Sequence, residues 1–198
     1  MKFLNKMERK FGRYAIRNLT KYMIFCYIIG YALQYMQALF EVPLISYLYM
    51  SPYHILHEGQ IWRLVSWLLI PPGSNNIFFV LIMLMFYYSL GTTLERTWGT
   101  FRYTLYIFSG LLFTVIGAFL LYFIEGGYVL FAGMFSTYYI SMSILLAFAV
   151  SYPDMRVLLY FVIPIKMKWM ALIDVALILV AVIQNLKQNV EHVGVGLL

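Results

Sequence analysis

The sequence predicts an all-α integral membrane protein, a polytopic helical bundle with five complete spans and the start of a sixth. The chain has 198 residues, of which 63% are hydrophobic and only 11% are charged. A soluble domain carries about a quarter charged residues. Five apolar stretches approach the roughly 20 residues that a helix needs to cross a bilayer. With so few charges, much of the protein surface must face lipid.

The predicted spans are bounded by proline, glycine or charged residues. They cover Tyr22–Leu39, Ile77–Leu90, Tyr103–Ile124, Tyr128–Ser151 and Trp169–Ile183. A further apolar piece, Met155–Ile165, has a core too short to cross as a helix, so we interpret it as an interfacial or re-entrant segment. The last residues, Val193–Leu198, are too few to span. We expect them to begin a sixth span in a chain that is truncated at its C-terminus.

Charge placement divides the chain into a basic amphipathic N-terminal segment, residues 1–21, and one transmembrane domain, residues 22–198. The segment interleaves seven lysines and arginines with apolar residues, which suits the surface of an anionic membrane rather than nucleic acid. If Met155–Ile165 does not cross, only Arg63 and Lys187 of the 14 cations lie on the opposite side. The positive-inside rule then predicts a multi-pass protein of the cell membrane with a cytoplasmic N-terminus.

The fourth predicted span has the composition of a central helix. Gly133, Thr137 and Ser141 recur every four residues, and such residues let helices approach closely and form hydrogen bonds across their interface. Gly110, Thr114 and Gly117 form a matching stripe on the third span.

Asp174 lies within the fifth predicted span, where an ionisable group is a functional candidate by default. No other acidic or basic residue lies deep in the spans. We therefore expect Asp174 to form hydrogen bonds with serine or tyrosine hydroxyls of the fourth span. The alternative is a small transporter or channel centred on this carboxyl group.

Several short motifs occur in an order that is typical of one superfamily. They are Trp62-Arg63 in the first loop, Gly91-Thr92-Thr93-Leu94-Glu95 after the second span, Gly99 with Arg102 before the third, and Ile163-Pro164-Ile165-Lys166. From about Tyr22 to His192 the chain resembles the rhomboid superfamily, which contains intramembrane serine proteases and inactive relatives such as the derlins. The resemblance implies a rhomboid-like bundle.

The resemblance also implies that the protein is not a protease. Phe135 occupies the nucleophile position and Phe79 and Met83 occupy the oxyanion positions, so neither an attacking atom nor the required donors are present. We expect a catalytically inactive rhomboid-like protein, without cofactor or metal, whose partners are membrane lipids and the transmembrane segments of client proteins. The alternative is a divergent intramembrane serine protease that uses Ser136 and His192.

We assign structural or substrate-binding roles to the remaining motif residues and also to Gly133, Phe135 and Asp174. Glu95 and Arg102 are expected to pair and fix the turn between the second and third spans. Trp62 and Arg63 are expected to anchor the first loop at the outer membrane interface. In that loop His54, His57 and Glu58 are too few to predict a metal site.

Overall fold

The computed structural model describes residues 2–71, 77–124, 137–159 and 163–180. The chain divides into two compact units, Met1–Ile144 and Leu145–Leu198. It is mostly helical. The elements are α1 (Lys2–Phe11), α2 (Leu19–Phe40), α3 (Pro52–His57), α4 (Arg63–Ser66), α5 (Ile77–Trp98), α6 (Thr100–Ile124), α7 (Tyr138–Ser151), β1 (Arg156–Leu159) and β2 (Ile163–Lys166). Residues 167–180 are also helical.

Within the described residues, α2, α5 and α6 are the helices long and apolar enough to cross a membrane, by length and composition. They correspond to the first three predicted spans. α5 continues two turns beyond the predicted end and stops only before Gly99, whose φ of +86° suits a residue without a side chain.

The two later predicted spans are described only in part. α7 is a 14-residue apolar helix at the end of the fourth span, and residues 125–136 lie outside the described residues. The helix over residues 167–180 belongs to the fifth span. The end of that span and the predicted sixth span also lie outside the described residues.

The segment predicted to be interfacial or re-entrant contains a β-hairpin, so the all-α prediction is wrong there. β1 pairs antiparallel with β2, in a register that places Val157 opposite Ile165. Side chains branched at Cβ favour strands, and Pro164 prevents a helix from continuing through the segment. At the open end of the hairpin, Lys166 and Lys168 donate to Asp154 Oδ1 over 3.5 and 3.3 Å. These contacts hold the pKa of the exposed Asp154 carboxyl below its usual value.

The core of the first unit lies between α2 and α5. Tyr27 and Tyr31 of α2 form one buried cluster with Val80 and Leu84 of α5. Nearer the N-terminal end of α2, Thr20 meets α6, because its hydroxyl lies 2.9 Å from the buried hydroxyl of Tyr103.

The first loop is folded and packs along α2 instead of extending away from it. Its Trp67 side chain is fully buried and donates through Nε1 to the carbonyl oxygen of Leu64, 3.0 Å away. The loop carbonyl of Leu69 lies directly against Gly30. Since Gly30 is 11 residues beyond the start of α2 at Leu19, this contact lies about 16 Å along the helix. The end of the loop therefore reaches the middle of the first span.

Candidate functional site

A buried cluster of hydroxyl groups joins α2, the start of α7 and the end of the first loop. The Tyr27 hydroxyl lies 3.3 Å from Ser141 Oγ, and Thr137 Oγ1 donates to the carbonyl oxygen of Ile70 over 2.5 Å. Tyr27, Thr137 and Ser141 are each at most 2% exposed. We call these three side chains the Tyr27 cluster. Burial of Thr137 and Ser141 agrees with the predicted small-residue stripe, whereas Gly133 lies outside the described residues.

The hydroxyl groups of the Tyr27 cluster are suited to a structural role. A phenol hydroxyl cannot serve Ser141 as a general base at neutral pH, because its pKa lies near 10. Catalysis by serine needs a base within hydrogen-bonding distance and donors for the developing oxyanion. The hydroxyls instead satisfy one another and a loop carbonyl, which links the loop to two helices.

At the predicted oxyanion positions the side chains cannot donate. Phe79 is exposed on α5, and Met83 packs against the core cluster around Tyr27 and Tyr31. Four further residues that bear on the protease alternative lie outside the described residues. They are Gly133, Phe135, Ser136 and His192.

One contact between a serine and a histidine was missed by sequence reasoning. Ser51 Oγ lies 2.7 Å from His54 Nδ1, and His54 Nε2 lies 3.8 Å from Glu58 Oε1. The order Ser, His, Glu has the types of a catalytic triad. Ser51 is only 2% exposed, however, so a substrate carbonyl cannot reach it. The spacing of three residues across the start of α3 was the signal that could have indicated this contact. The contact joins the residue before α3 to the first turn of that helix.

The side chains of the two loop histidines contact different partners. The His57 ring stacks on Tyr53 with 4.6 Å between centroids, while His54 engages Ser51 and Glu58. In the part of the chain that the structure describes, no three histidine, cysteine or acidic side chains are grouped to hold a metal ion.

Arg63 is the side chain that holds the first loop together. It is 4% exposed, and its Nη1 donates to the carbonyl oxygens of Ser46 and Tyr49 over 2.9 and 3.1 Å. Its Nε donates to Gln60 Oε1 over 2.6 Å. Burial lowers the pKa of the guanidinium, against the opposing effect of Glu58, but arginine remains charged in proteins. Arg63 therefore stabilises the fold of the first loop through hydrogen bonds to other residues of that loop.

Trp62 differs from its neighbour Arg63 in being 56% exposed. Ile61 and Val65, on either side of it, are exposed as well. The loop thus exposes three large apolar side chains close together in sequence, and one of them carries an indole, the group typical of the membrane interface. Anchoring of the loop at that interface stays a prediction.

The predicted pairing of Glu95 with Arg102 is wrong in this structure. Arg102 Nε lies 3.6 Å from Glu8 Oε2, and Arg102 Nη2 donates to Asn5 Oδ1 over 3.0 Å. Glu95 Oε1 accepts from the backbone N–H of Asn18 over 2.7 Å. The reason is that α1 packs against α6 and supplies its own carboxylate. Both residues therefore hold the N-terminal segment to the turn between α5 and α6.

Asp174 is half-buried in the helix over residues 167–180 of the second unit. Within the described part of that unit it makes no hydrogen bond or ion pair. Its predicted hydrogen bonds to hydroxyls of the fourth span stay a prediction.

In the part of the chain that the structure describes, no other segment covers the small-residue stripe of α6 at its two glycines, and we call this side of the helix the open face. A Cβ atom added at Gly110 or at Gly117 would meet no atom of the described residues within 4 Å. Thr114, between them, donates to the carbonyl oxygen of Gly110 over 2.9 Å. α6 contacts α7 through another residue, because the Tyr106 hydroxyl donates to the carbonyl oxygen of Ser143 over 2.9 Å.

The helices and the hydroxyl cluster define a helical integral membrane protein. The family model described as eukaryotic integral membrane protein (DUF1751) matches residues 17–196, and the chain belongs to that family. A comparison with curated proteins gives no match, and neither does a comparison with solved structures.

Proposed function

We propose that this protein is a rhomboid-like, catalytically inactive scaffold that binds transmembrane helices of client proteins through the open face of α6. The observation that carries the proposal is that, among the described residues outside α6 itself, no atom lies within 4 Å of a Cβ added at Gly110 or Gly117. These glycines are seven residues apart, or about two helical turns, so they share one face with Thr114 between them.

Membrane physics explains why such a face would bind a helix. Lipid chains are as apolar as leucine, so helices associate in a bilayer mainly by close packing and hydrogen bonding. Glycine gives the closest backbone approach, and exposed Phe113 and Leu120 lie beside the open face to enclose an incoming helix. A client helix with its own small residues fits this surface best.

The absence of catalysis is proposed from the residue types along the chain. Phe79 and Met83 supply no oxyanion donors and Phe135 supplies no attacking atom. Losing one oxyanion donor alone costs on the order of 10²–10³ in rate. We expect purified protein to remain unlabelled by a fluorophosphonate probe. Labelling that disappears in Ser136→Ala and in His192→Ala would establish the protease alternative.

The proposed topology places the N-terminus in the cytoplasm and the first loop on the opposite side of the membrane. It rests on the uneven distribution of lysine and arginine. The distribution of lysine and arginine indicates which side of the membrane each loop occupies, but not which organelle holds the membrane. It therefore fits the plasma membrane and the internal membranes of a eukaryotic cell equally. With Cys26 replaced, single cysteines at the exposed positions Glu58 and Arg96 should label from opposite sides. Labelling of both from one side would overturn the topology.

The client proposal is tested by photocrosslinking with a defined partner. A photoreactive residue replaces Phe113, and the protein is co-expressed with a leucine-rich single-span segment that carries a central Gly-x-x-x-Gly. We expect a crosslink that weakens when leucines replace the segment's glycines. We expect it to be lost in the double variant Gly110→Leu with Gly117→Leu.

A matched control adds bulk to the other side of α6. Phe108→Trp with Leu112→Phe enlarges two exposed side chains that lie about 200° around the helix from Gly110. This control should retain the crosslink. Equal crosslinking in all variants, or loss in the control as well, would contradict docking on the open face.

A further inference from the structure

The end of the bundle that holds the N-terminal segment contains a basic cavity. It has a volume of about 290 Å³ and lies between the start of α2, the last turns of α5 and the beginning of α6. Three cations line it, namely Arg17, Lys21 and Arg96, together with the hydroxyl residue Thr92. The cavity is large enough for a phosphate group and part of the group attached to it.

Among the described residues that line this cavity, three cations are opposed by one carboxylate. Within the described residues, the side chains of Arg17, Lys21 and Arg96 make no hydrogen bond and no ion pair. The single acidic residue of the lining is Glu95, and its Oε1 already accepts the backbone N–H of Asn18 over 2.7 Å. The cavity therefore has an excess of positive charge with free donors, which suits an anion with several acceptor oxygens.

Apolar surface continues from the cavity toward the middle of the helices. On α5, Tyr88 lines the cavity, and exposed Met85 and Leu81 follow at helical spacing on the same side. On α2, exposed Phe25 lies one turn beyond Lys21. A free phosphate would use none of these side chains, whereas the acyl chains of a lipid would lie along them.

We propose that this cavity binds the phosphate headgroup of an anionic membrane lipid, with the acyl chains along the exposed faces of α2 and α5. Arg17, Lys21 and Arg96 neutralise the phosphate and donate hydrogen bonds to its oxygens. Basic pockets between transmembrane helices bind such headgroups by the same physics. The site is independent of the client-binding face, which lies on α6.

The test uses the full chain, purified in neutral detergent, and measures binding of dioctanoyl phosphatidic acid. Dioctanoyl phosphatidylcholine tests the requirement for negative charge, and glycerol 3-phosphate tests the requirement for acyl chains. We expect the phosphatidic acid to bind roughly tenfold or more tightly than either. In the triple variant Arg17→Gln, Lys21→Gln and Arg96→Gln its affinity should fall by roughly tenfold to a hundredfold.

A second triple variant controls for net charge. Lys6→Gln, Arg9→Gln and Lys10→Gln remove three exposed cations from α1 and should change the affinity by less than about twofold if binding is local. Both variants are checked for an unchanged melting temperature, and the charge-retaining triple Arg17→Lys, Lys21→Arg and Arg96→Lys should keep most of the affinity. Equal losses in the two glutamine triples would show diffuse attraction and overturn the site. Equally tight binding of glycerol 3-phosphate would assign the cavity to a soluble anion and overturn the lipid proposal.

Discussion

Two pairs of glycines in the membrane helices occupy opposite environments. At Gly30 an added Cβ would collide with the Leu69 carbonyl, and at Gly91 it would lie 2.6 to 2.8 Å from the ends of Thr20 and Tyr103. At Gly110 and Gly117 it would meet nothing within 4 Å among the described residues. The protein's own chain fills the space beside the first pair, whereas no described residue fills the space beside the second pair, which is the face proposed to bind another helix.

This difference separates folding from recognition. Substitutions at filled glycines should damage the protein itself, whereas substitutions at open glycines should damage only what binds there. Cys26 provides a convenient measurement, because it is the single cysteine of the chain and is half-buried in α2. Heating with a thiol-reactive fluorescent dye reports when α2 loses its packing.

The largest effect is expected for Gly30→Ala. The added methyl group would overlap the Leu69 carbonyl, which is backbone and cannot rotate away, so α2 and the loop must separate. Overpacking of this kind costs about 3 kcal/mol or more when nothing can yield. We expect a clear fall in the melting temperature read at Cys26, with Gly117→Ala as the matched control. A melting curve identical to that of the parent would mean that the loop does not rest against α2.

The next effect is expected for Arg63→Met, which tests what holds the loop against Gly30. The substitution leaves the carbonyls of Ser46 and Tyr49 without their donor. A fully buried group without a partner costs about 1–3 kcal/mol, and these part-buried carbonyls should each cost less. We expect a lower melting temperature. Arg63→Lys should recover only part of the loss, since a lysine cannot reproduce the guanidinium geometry.

The exposed cation Arg96 provides the control for Arg63. Arg96→Met should change the melting temperature little. Equal effects at the two positions would show that charge, and not the hydrogen bonds of the buried Arg63 side chain, accounts for the loss.

The Gly91→Ala variant should have an intermediate effect of roughly 1–3 kcal/mol. Here the added methyl meets the ends of side chains, which can move, although doing so disturbs the bond between Thr20 and Tyr103. Adding Thr20→Ala removes two of the three obstructing atoms and leaves only the Tyr103 hydroxyl, so the double variant should melt above Gly91→Ala alone. Additive losses would show that the two positions are not in contact.

The sequence predicts the membrane class and three long helices because apolar length alone defines a span. The buried hydroxyls of Thr137 and Ser141 also follow from helical spacing. The roles of Arg63 and Arg102 do not, since their partners are loop carbonyls and a carboxylate on α1 that only the fold brings near. A pattern of residue types indicates that a side chain matters, whereas its partners depend on contacts between distant segments.

The β-hairpin shows a second limit of sequence reasoning. The apolar core of Met155–Ile165 is too short for a span, but hydropathy and length do not distinguish an interfacial helix from paired strands. In the structure Val157 pairs with Ile165, so the segment forms two antiparallel strands. The predicted oxyanion positions, Phe79 and Met83, are simpler, because their lack of donors follows from residue type alone.

The smallest effect on stability is expected for Gly110→Ala with Gly117→Ala, and this variant tests the open side most directly. Alanine favours a helix over glycine by up to about 1 kcal/mol per residue in water. No described atom obstructs either methyl group. The melting temperature read at Cys26 should therefore stay the same or rise slightly. Binding of the Gly-x-x-x-Gly segment should weaken less than in the leucine variant, because a methyl group separates two helices less than an isobutyl group does. A fall in melting temperature comparable to that of Gly30→Ala would show that this face is already covered by the protein's own chain, and the client-binding proposal would then fail.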